Sequence, residues 1–182
     1  MSDRIRKRTK YLTMSAMLVA LSVVIMALGS LIEVLDLTTA VLASFLCIYA
    51  VIEMGGAYPW MIWLASSILS LLLLPLKTPA IFYALFFGFY PILKEKFERL
   101  RRPLSITLKT VSFHVSLAGI VLLLWLFIPS ILEMDDMKWL PPILLYVGAY
   151  VGALVCFFVY DIALTRVITF YYVRLRNRFK IK

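Results

Sequence analysis

Charge is scarce in this chain. Of 182 residues, 16% are Asp, Glu, Lys or Arg, basic residues outnumber acidic ones by 19 to 10, and His114 is the single histidine. A soluble domain of this length would need a larger charged surface, so a water-soluble globular protein is excluded. The two cysteines, Cys47 and Cys156, both lie inside apolar runs. They give no disulfide framework, and beside one histidine they give no zinc site. There is no HExxH helix, no glycine-rich phosphate cradle and no Ser, His and acid arrangement. The expectation is a protein that is no enzyme, with no catalytic residues, no metal ligands and no cofactor. Without a nucleotide site the chain does not energise transport by its own hydrolysis. Internal repeats and the pseudo-symmetric halves of many secondary transporters are absent as well.

What fills the chain instead is apolar. Hydrophobic residues make up 63%, and the remaining charges bunch into short stretches between long apolar runs, the pattern of membrane spans and loops. The fold class expected is an all-α integral membrane protein, a bundle of six transmembrane helices. The spans fall at about 11–32, 37–54, 57–74, 80–93, 106–132 and 141–165, between a basic N-terminus (1–10) and a basic tail (166–182). At this length there is room for one bundle and no separate soluble domain. Gly55-Gly56 breaks the chain between spans two and three, and Pro75 and Pro79 bracket the turn before span four. Phe89-Tyr90-Pro91 lets span four bend near its end. Ala27-Leu28-Gly29 loosely resembles a signal-peptide cleavage site, but the apolar run around it is long for a signal core.

Orientation follows from the lysines and arginines. The N-terminus, the segment Lys94 to Arg102 and the tail are all strongly basic, and an even span count puts them on one side, the cytoplasm. The net charge of +9 therefore speaks for the positive-inside rule and anionic lipid and not for nucleic acid. The localisation expected is the cell (inner) membrane of a bacterium, with both termini cytoplasmic.

Ionisable groups within spans are costly unless paired or hydrated. Glu53, Lys109 and Asp161 lie at similar depth near the cytoplasmic ends of spans two, five and six. They form a network or each snorkels separately to the headgroups. Lys77 is the one basic residue of the outer turn between spans three and four. It either holds the carboxylate or phosphate of a ligand or anchors the turn in the interface. Tyr83 and Phe86 on span four, Trp125 on span five, and Trp139 and Tyr146 around the start of span six either build an aromatic pocket or make up an interfacial belt. His114 reads as a hydrogen-bonded packing residue. Gly148-x-x-x-Gly152, overlapping Ala149-x-x-x-Ala153, gives span six a smooth face.

Span one follows five basic residues, Arg4, Arg6, Lys7, Arg8 and Lys10, and places Ala16 and Ala20 one helical turn apart on one side. Small residues so spaced let another helix approach closely, either within the bundle or from a partner protein. The segment Thr13-Met14-Ser15-Ala16-Met17-Leu18-Val19-Ala20-Leu21-Ser22, on six spans in under two hundred residues, resembles the substrate-binding S component of energy-coupling-factor (ECF) transporters. The resemblance implies that Ala16 and Ala20 meet a transmembrane T component driven by two cytoplasmic ATPases. It also implies an outer pocket for a vitamin, a metal ion or a related small molecule, here lined by Lys77, Tyr83, Phe86, Trp125, Trp139 and Tyr146. The chain departs from better-known branches in having no N-terminal histidine run and an acid-studded basic segment at Lys94 to Arg102. The competing expectation is a non-transporting scaffold or envelope-assembly subunit that uses its small-residue faces to bind other helices. An intramembrane lipid-modifying enzyme would need a catalytic constellation that the sequence lacks.

Overall fold

The computed structural model describes residues 2–98, 100–127, 142–171 and 173, and all regular structure among them is helical. The chain divides into two units, residues 1–128 and 129–182. The first holds six helices: α1 (Ser2–Ser30), α2 (Asp36–Glu53), α3 (Tyr58–Leu73), α4 (Thr78–Phe82), α5 (Tyr90–Glu98) and α6 (Arg102–Phe127). The second holds α7 (Pro142–Phe170). Among the described residues four helices are long and apolar enough to cross a membrane, namely α1, α2, α6 and α7, while α3 is apolar but shorter.

Local chemistry accounts for the breaks. After α1 a single 3₁₀ turn, Glu33–Leu35, feeds directly into α2. At the end of α2 the N–H groups of Met54 and Gly55 both donate to the Ala50 carbonyl, at 3.0 and 3.1 Å. Gly55 and Gly56 then take φ of 58° and 60°, the left-handed region that glycine enters without a Cβ penalty. Pro59 and Pro79 sit in the first turns of α3 and α4, where a missing N–H is harmless.

The stretch expected as span four is helical in two pieces. α4 runs into a π-helical turn, Tyr83–Phe87, in which Gly88 N–H reaches back to the Tyr83 carbonyl at 2.7 Å. The chain turns at Gly88 and Phe89 before α5 begins at Tyr90. The residues expected as the N-terminal tail are helical from Ser2, and α7 continues past Thr165 to Phe170. Residues 128–132 of the fifth expected span lie outside the described residues.

Within the first unit α2 is central. It packs on α1, α3, α4, α5 and the π turn, and α6 lies against α4, α5 and that turn. In α2, 44% of the apolar stretch is buried, against 22% in α1 and 11% in α6. Small side chains make this possible: Ala40, Ala43, Ser44, Cys47 and Ala50 are all wholly buried and allow neighbours to close in. The outer faces carry large apolar groups, among them Met17, Leu28, Val115 and Leu122. Such an outside is the reverse of a water-soluble protein's.

Candidate docking groove

Ala16 and Ala20 are not packed inside the bundle. Both are exposed, and they line a groove between α1 and α3 with a volume of about 430 Å³. α1 contributes Leu12, Ser15, Ala16, Val19 and Ala20, and α3 contributes Met61, Ile62, Ala65 and Leu69. Two local causes make the groove. Side chains at positions 12, 16 and 20 stand above one another on a helix, and two of the three here are single methyl groups. Across from them Ala65 again withholds bulk. The one hydroxyl in the lining, that of Ser15, donates to the Tyr11 carbonyl at 2.8 Å and lies 3.7 Å from Met54 Sδ. The surface offered is therefore apolar.

One end of this unit is marked by aromatic and basic groups. Tyr11 and Tyr58 meet edge to face at 5.4 Å, joining the start of the apolar part of α1 to the start of α3. Lys96 Nζ stands 5.3 Å above the Trp60 ring, which brings the end of α5 to the same rim. The exposed Arg8, Lys10, Lys96, Arg101 and Arg102 thus gather at one end, and Asp36, at the start of α2, and Lys77, in the turn before α4, lie at the opposite one.

Of the residues expected to line a solute pocket, Lys77, Tyr83 and Phe86 each have contacts of their own within the first unit. Lys77 donates from Nζ to the Leu74 carbonyl at 2.6 Å, capping the end of α3. Tyr83 is wholly buried, and its hydroxyl is 3.0 Å from that of Ser66. Phe86 is buried among Phe87, Tyr90 and Phe113, with ring centres 5.1, 5.1 and 6.3 Å away. Trp125 falls on α6, Tyr146 is exposed on α7 in the second unit, and Trp139 lies outside the described residues.

Two lysines of the first unit meet at a residue that periodicity did not single out. Glu98 Oε1 is 3.5 Å from both Lys94 Nζ and Lys109 Nζ, tying α5 to α6. Lys94 is wholly buried, so it needs a paired carboxylate more than its neighbours do. Glu53 ends α2 and is exposed, and Asp161 belongs to the second unit. His114 donates from Nδ1 to the Thr110 carbonyl at 2.8 Å on an exposed face of α6. On α7, Gly148 and Gly152 are exposed. No group of His, Cys, Asp and Glu among the described residues could hold a metal ion.

Sequence reasoning located half of the groove. The half from α3 was missed because Met61, Ala65 and Leu69 carry no signal until the side of α3 that faces α1 is known. Ser66 and Ser70, both buried, are the nearest pointer: polar residues on an apolar helix mark its inner face, and the groove wall runs beside them. No family model, no curated protein and no solved structure matches this chain.

Proposed function

We propose that this chain is the substrate-binding membrane subunit of an ECF-type importer, with its α1–α3 groove as the seat for a transmembrane T component that two cytoplasmic ATPases drive. The observation that carries the reading is the exposure of Ala16 and Ala20 in a groove between two helices. A helix seated there gains close backbone approach along both alanines. In this reading the subunit spans the cell membrane six times. α3 serves as the third span, and the composite of α4, the π turn and α5 serves as the fourth. Both termini are cytoplasmic, in keeping with the basic end that Arg8, Lys96 and Arg101 share. A small solute such as a vitamin or related micronutrient is captured near the opposite end, and reorientation of the whole bundle by the gripped groove carries it inward.

The test is a mild-detergent pull-down of the tagged protein from its host, with solute uptake measured in parallel. The expected result is recovery of a polytopic membrane protein with two ATPases, lost on Ala20→Trp while solute binding persists. Uptake and recovery that both survive Ala20→Trp would overturn the docking role of this face.

A second reading, a non-transporting scaffold or envelope-assembly subunit, draws on the burial of Tyr83 and Phe86 and on the Lys77 cap, which leave those groups engaged in packing. It predicts stable partners with no bound solute and no ATPase-dependent uptake.

A further inference from the structure

The groove does not end in apolar wall at its basic mouth. Arg8, Leu12, Ala16 and Ala20 recur every fourth residue, so Arg8 stands on the groove's own stripe one turn before Leu12. Arg8 is exposed, whereas Lys7 and Lys10 are turned to other sides of α1. Across the mouth Tyr58 lies on α3 three and four residues before Met61 and Ile62, with its ring against Tyr11. Each phenol carries a hydroxyl donor, and tyrosine rings settle at headgroup depth. The guanidinium fork that Arg8 carries on this stripe matches the oxygens of a phosphate.

Length agrees with this chemistry. From Leu12 to Ala20 the groove follows α1 for about 12 Å at 1.5 Å per residue. One leaflet offers about 15 Å of hydrocarbon, half of a core about 30 Å thick. The groove is lined almost wholly by apolar side chains, whose atoms need contacts on their open side.

We infer that, when no protein partner is seated, the α1–α3 groove holds one acyl chain of an anionic phospholipid whose phosphate is bound at the mouth by Arg8. Charge complementarity selects the occupant: a basic fork at the interface end of an apolar furrow suits a headgroup of net negative charge over a zwitterionic one. The site itself requires only that the groove lie in a bilayer. Its consequence rests on the importer reading: a partner helix must displace the lipid, so docking answers to the anionic-lipid content of the membrane.

The test uses the full chain in nanodiscs of equimolar phosphatidylglycerol and phosphatidylcholine, with retained lipid weighed by native mass spectrometry. Wild type is expected to retain phosphatidylglycerol in preference. Arg8→Gln lowers that retention about tenfold, the scale of one charge-assisted hydrogen-bonding group. Ala16→Leu fills the furrow and also releases the lipid although Arg8 remains, and the double variant Lys7→Gln, Lys10→Gln keeps it. Equal retention of the two lipids, or wild-type retention by Arg8→Gln, would overturn the site. So would an equal loss from the Lys7, Lys10 variant, which would mark diffuse attraction to the basic segment. Arg8→Gln is expected to recover the same protein partners as wild type. Loss of lipid selectivity and loss of partners are therefore separate results, and a failed pull-down leaves the lipid site standing.

Discussion

At Gly29 the bundle leaves no space for a side chain, because a Cβ there would overlap the side chain of Thr39 on α2. Gly29→Val is therefore expected to lower stability by about 1–3 kcal/mol, the range for forced overpacking. Adding Thr39→Ala should restore part of it, as read from melting temperatures in detergent. Tyr83 makes a second case. Its hydroxyl is bonded to that of Ser66 within the core, so Tyr83→Phe should cost about 0.6 kcal/mol, the average for interhelical hydrogen bonds measured in membrane bundles. The same melting experiment checks it, and an unchanged melting temperature would show the bond to be worth nothing. Single residues were the hardest part to read from sequence. Tyr83 and Phe86 sit in an aromatic run whose composition is the same for a pocket, a belt or a core, and only the packing around them decides. Lys94 lies in a basic stretch that reads as solvated, yet α5 turns it wholly inward.

Helices were more legible than side chains. The apolar run of α1 and the spacing of Ala16 and Ala20 stand in the sequence, because a helix's own face needs only its period of 3.6. Pro75, Pro79 and Gly55-Gly56 likewise mark ends that the structure keeps. The break in span four was half legible. Phe89-Tyr90-Pro91 announced a bend, but the π turn before it depends on Gly88 N–H bonding back to Tyr83, which no pattern records. The α3 wall of the groove was illegible for a different reason, since it is set by a helix pair and not by one helix. The α5–α6 junction depends similarly on Glu98, which stands between Lys94 and Lys109. Glu98→Gln is expected to lower the melting temperature and to speed amide exchange in α5 more than in α2. Equal exchange in the two helices would remove Glu98 as a tie between α5 and α6.

For the whole molecule, basic residues at one end of the first unit and a short turn with Lys77 at the other predict a definite topology. Single cysteines placed at Arg101 and at Thr78, in a background free of Cys47 and Cys156, should label from opposite sides of intact cells. Arg101 should be reachable only after permeabilisation, and labelling of both sites from outside would reverse or void the six-span arrangement. In the proposed importer the α1–α3 groove receives a partner's transmembrane segment. This docking is tested most directly by a photo-crosslinking amino acid at Met61, an exposed residue of the groove wall, in membranes of the native host. The expected result is a crosslink to a polytopic membrane protein that copurifies with two ATPases, and its loss when Ala20→Trp fills the groove. Crosslinks to lipid alone in cells that make the full complex would contradict it.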